Sequence, residues 1–251
     1  MRSTAPLTIS IQPLQYGDIP SCSQNVAAAF AVDPHTIVKQ LGRKPYDMYA
    51  MTYDTLLNGL ERKNQVYVKA VDEETGKLVG HASWVFRGVD TDLVPWNGPS
   101  DDKPQDSRPV EVVTEAAEDG EGNSSGKGEQ NSIDHLHALE DADIHEWVTK
   151  QIPPGPCVFI NSLNVSPPYQ SRGVGSTLLQ YGNAIADRLR LSIWVHSSHQ
   201  AFKAYQKAGF EARRILDLDL DKYAPRAPRD DEEVTGEKGS GKWGRTPKKG
   251  R

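Results

Sequence analysis

A mixed α/β fold built on one central sheet is predicted for this chain, and three observations predict it. Short alternating or β-branched runs recur along two stretches, 7–96 and 157–220. Runs with apolar residues at helical spacing lie between them. A glycine-containing turn, Gly173-Val174-Gly175, joins one strand directly to a helix. The element order is βα(α)ββ, an insertion, then βαβαβ, in one domain.

Each element has a local reason. Residues 7–14 alternate and suit a strand. Asp18 stands where an N-cap belongs, with Pro20 just inside a helix that runs toward Phe30. Residues 46–62 read as a further helix. Residues 66–71 and 78–86 are two strands joined by Asp72-Glu73-Glu74-Thr75-Gly76-Lys77, a good hairpin connection. Between 97 and 132 the composition changes, with nine acidic residues against three basic ones among Gly, Ser and Pro. Such a segment buries too little apolar surface to offset its ordering entropy, so disorder is expected there. Ile133, Leu136, Leu139, Ile144, Trp147 and Val148 recur at roughly helical spacing, which predicts a helix over 133–150 that Pro153-Pro154 ends. A strand at 157–165 follows. The helix at 173–189 has Val174, Leu178, Ile185 and Leu189 on its apolar face. A strand at 191–195, a helix at 199–208 and a last strand at 210–220 complete the domain, 7–223. The remainder, 224–251, is charged and rich in Gly and Pro, and is expected to be a disordered tail.

Charge and composition exclude several classes. At 251 residues the chain can bury a core without a disulfide or metal staple. A net charge of −5 argues against a general nucleic-acid binder. The two cysteines, Cys22 and Cys157, form no framework, which suits a reducing compartment. No run of about 18 apolar residues predicts a membrane span, and no signal peptide is evident. A cytoplasmic protein is the expectation; the four-residue basic end Lys248-Lys249-Gly250-Arg251 is thin support for a nuclear one. No His/Cys cluster has metal-ligand spacing, so no metal is expected.

The turn around Gly173 carries the chemistry. Gly173 and Gly175 lack a Cβ, so the backbone can twist and a bulky anion can come close. The helix start that follows leaves N–H groups without partners, and its dipole favours negative charge. Together these make a pyrophosphate site, with Arg172 and the hydroxyls of Ser171 and Ser176 beside it. A Walker loop needs a lysine that Ser176-Thr177 does not supply. A dinucleotide loop needs a third glycine where Leu178 stands. An ordinary tight strand-to-helix turn also fits the two glycines alone.

The flanking residues decide between these. Gln170-Ser171-Arg172-Gly173-Val174-Gly175 resembles in full the Gln/Arg-x-x-Gly-x-Gly/Ala signature of the GNAT acetyltransferases. Val165-x-Pro167-x-Tyr169 before it and Leu178-Leu179 after it are similar to that family. So is Ala201-Phe202-Lys203-Ala204-Tyr205-Gln206-Lys207-Ala208-Gly209-Phe210, its helix-to-strand segment, and the opening Ile11-Gln12-Pro13 with Asp18-Ile19-Pro20 is a fainter likeness. The resemblance implies a sheet splayed at its fourth strand, 157–165, with the pantetheine arm of acetyl-CoA lying beside it. It also implies that main-chain groups of Leu163 and Val165 pair with that arm. Gln170, Ser171, Arg172, Gly173, Val174, Gly175 and Ser176 then take the pyrophosphate. Ser198 stands where the family often has Asn, so its contact with acetyl-CoA is in doubt. Tyr205 matches the family position whose phenol protonates the departing thiolate, although a packed core aromatic fits the residue equally well.

The implied activity is transfer of acetyl to a primary amine by direct attack in a ternary complex. A small-molecule amine is the leading acceptor. Protein lysines or N-termini, and a module that binds CoA without turnover, are the alternatives. No carboxylate lies in Val158-Phe159-Ile160-Asn161-Ser162-Leu163, so no general base is assigned. His81, His145, His196, His199 and Glu146 remain open for that role. Tyr46, Tyr49, Tyr53, Trp84 and Trp96 are candidates for an amine pocket, with a core role the alternative for each. Cys157 has no His-plus-acid pattern around it and is read as a small core residue. Oligomeric state has no signature.

Overall fold

In the computed structural model, which describes residues 7–41, 46–105, 126–225 and 241–245, the strands form one sheet. They are β1 (Ile9–Pro13), β2 (Gln65–Asp72), β3 (Leu78–Arg87), β4 (Cys157–Val165), β5 (Ser192–Ser197), β6 (Glu211–Ile215) and β7 (Gly241–Arg245). Their order is β1-β2-β3-β4-β5-β7-β6, with β4–β5 parallel and every other pair antiparallel. The helices are α1 (Ile19–Phe30), α2 (Pro34–Gln40), α3 (Met48–Gly59), α4 (Gly126–Glu146), α5 (Val174–Leu189) and α6 (Phe202–Lys207). The mixed α/β sheet is the one the sequence predicts.

Alternation along β2 and β3 divides two packed layers. Ala82 and Trp84 join Leu178, Leu179 and Ala186 of α5 in the main apolar cluster. A Cβ on Gly182 would run into the Trp84 indole, so α5 can lie this close to β3 only with glycine at that turn. Tyr67, opposite Ser83, faces the other layer, where Ile19 and Cys22 of α1 meet Leu56 and Leu57 of α3. The two layers place α5 on one side of the sheet and α1 with α3 on the other.

Several expectations are corrected. Asp18 does not cap α1 with its side chain. Its carboxylate accepts from the Gln15 N–H at 2.9 Å and pairs with Lys69 Nζ at 2.7 Å. Helix α2 was not predicted, although Asp33 accepts from the Thr36 N–H at 3.0 Å with Pro34 at the first helical position. The start of the 97–132 segment is ordered. Asp101 accepts from the N–H groups of Tyr16 (2.9 Å) and Gly17 (2.7 Å), and Gln15 accepts from the Ser100 N–H at 2.6 Å. Residues 106–125 of that segment lie outside the described residues. Helix α4 starts earlier than 133, at Gly126, and ends in a wide turn, Trp147–Gln151, that seats Trp147 edge-on against Phe159 and Trp194. The expected strand 210–220 stops at Ile215, because Leu218 and Leu220 turn to cover Leu136 of α4 and Val38 of α2. Within the expected tail, Gly241–Arg245 is a strand inserted between β5 and β6, and 226–240 and 246–251 lie outside the described residues.

Candidate active site

The parallel pairing of β4 and β5 is short. Residues Cys157–Ile160 of β4 face Ser192–Val195 of β5 and the ladder ends there, while β3 follows β4 to Val165. Where it ends, Ser83 lies opposite Ser162 and Trp84 opposite Ile160, so Asn161 is an extra residue in β4. Such a bulge bends its strand and locally breaks the ladder. From Asn161 onward one edge of β4 has no strand beside it among the described residues. The Ser166 N–H donates to Val79 at 2.8 Å toward β3. Two-residue alternation therefore turns the peptide groups of Leu163 and Val165 to the open side. The Val165 carbonyl there accepts from Gln170 Nε2 at 3.1 Å, which ties the following loop to the strand end.

That loop is a single turn, Pro167–Tyr169, followed by two left-handed residues, Ser171 (φ 61°) and Gly173 (φ 91°). Gly173 is required by its φ, since an added Cβ would meet nothing within 4 Å. The first helical bond runs from the Thr177 N–H to the Gly173 carbonyl at 3.0 Å. It leaves the N–H groups of Val174, Gly175 and Ser176 directed out of the α5 N-terminus without intrahelical acceptors. A Cβ on Gly175 would come no nearer than 3.6 Å to Val165 and 3.9 Å to Leu163. Protein packing does not demand glycine at 175; the residue instead leaves space between the helix start and the end of β4. The Arg172 guanidinium lies 5.3 Å from the Tyr169 ring centroid, beside the same opening. Space, amides and cation together fit a pyrophosphate with its pantetheine arm running along β4.

On the α1/α3 side, the gap opens into a cavity of about 440 Å³ lined by Ile160–Asn164 of β4, by Val195–Ser197 of β5 and by Ser198 just after it. Tyr205 reaches it from α6, 5 % exposed, its ring edge-on to Phe210 at 5.3 Å. Burial pushes its phenol well above the ordinary tyrosine value, so the group stays protonated. His81 reaches it from β3. Burial lowers its pKa to about 4, and its Nδ1 has no hydrogen-bond partner. Ser83 and Ser162 share a hydrogen bond at 2.8 Å across the strand pair beneath.

The expected site residues thus fall at two ends of one gap. Gln170, Ser171, Arg172, Gly173, Val174, Gly175 and Ser176 stand at its α5 end. Leu163, Ser198 and Tyr205 stand in the cavity, with Val165 between. Of the residues open for the base, His81 and His196 line the cavity, and His145, His199 and Glu146 do not. None of Tyr46, Tyr49, Tyr53, Trp84 and Trp96 lines it; Trp84 packs under α5 on the opposite face. The wall is built from Val26, Phe30, Met48, Met51, Leu56 and Tyr67, which sequence reasoning did not single out. Met48 and Met51 sit one helical turn apart, a spacing that also describes any core-facing stripe. Among the described residues no group of three His, Cys, Asp or Glu side chains converges to hold a metal, and no helix is long and apolar enough to cross a membrane.

The model of the acetyltransferase (GNAT) family matches residues 33–210. No curated protein matches the chain by sequence. Among solved structures, a mosquito arylalkylamine N-acetyltransferase like 5b superposes with a TM-score of 0.55 at 17% identity, covering 95% of this chain and 100% of that one. The Drosophila melanogaster polyamine N-acetyltransferase that forms N-acetylagmatine superposes at 0.53 and 13% identity, covering 95% and 100%. A Corynebacterium glutamicum protein described as a histone acetyltransferase and related acetyltransferase superposes at 0.50 and 18%, covering 96% and 97%. At these identities the likeness is one of fold.

Proposed function

The chain belongs to the acetyltransferase (GNAT) family, and from that premise we propose that it moves acetyl from acetyl-CoA to the primary amine of a small molecule, by direct attack in a ternary complex. One observation carries this reading. A single gap in the sheet has free helix-start amides at one end and a buried, protonated tyrosine at the other. In this reading the N–H groups at 174–176 and Arg172 hold the pyrophosphate. The open peptide edge at Leu163 pairs with the pantetheine amides, and a backbone N–H there polarises the thioester carbonyl as charge develops on oxygen.

The acceptor enters from the α1/α3 side and meets the thioester in the cavity, so proximity supplies a large part of the rate. The amine nitrogen bonds to the carbonyl carbon and the carbon–sulfur bond breaks. Tyr205 gives its proton to the departing sulfur, the nitrogen releases one to water, and the Tyr205 phenolate takes a proton back from water before the next turnover. High pKa suits Tyr205 to this task because the phenol must arrive protonated. Incubating the purified protein with acetyl-CoA and single amines tests the proposal. Release of CoA thiol, with an acetylated product gaining the mass of one acetyl group, is the expected result. Tight CoA binding without release for any amine would instead indicate a binding module. Release only with histone peptides would indicate a protein acetyltransferase.

A further inference from the structure

The wall of the cavity narrows the acceptor. On the side away from β4 it is formed by Val26 and Phe30 at the end of α1 and, on α3, by Met48, Met51 and Leu56 with the uncharged Thr52 and Thr55 among them. No Asp, Glu, Lys or Arg is among the described lining residues. The ionisable groups are Tyr67, His81, His196 and Tyr205, and all four are held neutral near pH 7. Burial lowers the two imidazoles and raises the two phenols, Tyr67 to about 12. Glu140 acts on His196 from α4, but its carboxylate is already engaged by His35 Nδ1 at 3.0 Å and Lys39 Nζ at 2.7 Å. The cavity therefore offers a mostly apolar wall, neutral polar groups at its floor and, among the described residues, no fixed counter-charge.

We propose that the acceptor is a monoamine with an apolar body, aryl or alkyl, whose carbon skeleton packs on Phe30, Met48 and Met51, and that amines carrying a second cation are turned away. The inference rests on the acetyl-transfer reading above. An apolar body gains by leaving water against this wall, and the flexible thioethers adapt to several body shapes. A second ammonium or guanidinium on the same molecule loses its hydration with no carboxylate to replace it. A neighbouring alcove shares Thr55, Tyr67 and Asn161 with the cavity and is lined by Asp54, Asn58, Arg62 and Gln65. It does not rescue a dication, because Arg62 faces the same space as Asp54.

The experiment compares hexylamine and phenethylamine with 1,6-diaminohexane, agmatine and spermidine under one set of conditions. The monoamines are expected to lead in kcat/KM by on the order of 100-fold, the scale on which an apolar pocket rejects a ligand that carries one added polar group. Met51 is 47% exposed, so Met51→Glu adds a carboxylate to the wall without disturbing the core. In that variant the ratio of diamine to hexylamine should rise at least about tenfold, with calorimetric affinity for acetyl-CoA unchanged. Met48→Glu at the first position of α3 repeats the test at a second wall position. Diamines or spermidine turned over as well as hexylamine would overturn the inference and leave acetyl transfer standing, as would an unchanged ratio in both variants. Failure of every amine, with acetyl-CoA still bound, would overturn the transfer reading and this inference together.

Discussion

At the scale of the residue, Tyr205 carries the most specific expectation. Its ring packs edge-on against Phe210 and the residue lines the cavity where β4 and β5 part. Tyr205→Phe keeps the ring and removes only the proton donor. A fall in kcat of about 10²- to 10⁴-fold is expected, with the dissociation constant for acetyl-CoA unchanged. Steady-state rates beside calorimetric titration separate the two. A kcat within twofold of the parent would remove Tyr205 from the mechanism. The spacing from Tyr205 to Phe210 and the Gln170–Gly175 run were legible because both are local in sequence. The wall methionines were not, and His81 was only one of five candidates for the base until its place in the sheet was known. A histidine in an alternating strand reads alike whether it faces core or cavity, and only the pairing of β3 with β2 and β4 places His81 between Lys69 and Asn164.

Among the elements, those bounded by local chemistry were read best. Strand β4 runs over the residues expected of it, and α5 starts one residue after Gly173, as a left-handed turn dictates. Elements ordered by distant partners were misread. The 97–105 stretch looks solvated until Asp101 meets the N–H groups of Tyr16 and Gly17, more than 80 positions away in sequence. Residues 216–220 alternate like a strand, yet they are drawn off the sheet by Leu136 and Val38, which no window around them contains. The docking of α5 on β3 yields a prediction at this scale. Gly182→Ala drives a methyl into the Trp84 ring, and overpacking of a filled core costs about 1–3 kcal/mol. For a chain of this length that is roughly 2–12 °C in Tm. Because the same helix begins at the loop proposed to hold the pyrophosphate, KM for acetyl-CoA should rise while the amine preference is kept. An unaltered Tm by calorimetry would mean that α5 has slack the packing does not suggest.

For the molecule as a whole, the gap that joins the two faces of the sheet also sets how stability responds to pH. His81 is 1% exposed, with Nδ1 unpartnered, and its pKa drops from the ordinary 6.5 to about 4 on folding. Above about pH 6.5 the imidazole is neutral folded or unfolded and contributes no pH dependence. Below that value the unfolded chain takes up a proton that the folded chain refuses, so stability falls as pH falls and levels off below about 4. At 1.36 kcal/mol per unit, descending from pH 6.5 to 5 removes about 2 kcal/mol. His196 is lowered by burial too and acts in the same direction. Glu140 shifts the other window. Held down to about 2 by His35 and Lys39 against burial that raises it, its carboxylate stabilises the fold above its unfolded value near 4.5 and loses that contribution as pH falls toward 2. Between pH 7.5 and 5.0 the imidazoles therefore dominate. The urea midpoint of the parent should drop across that interval, and His81→Gln, which is polar but does not titrate, should flatten a large part of the drop. Equal slopes in parent and variant would show that His81 takes up its proton in the folded state. The cavity at the sheet gap would then not be the dry, uncharged space on which the choice of an apolar monoamine rests.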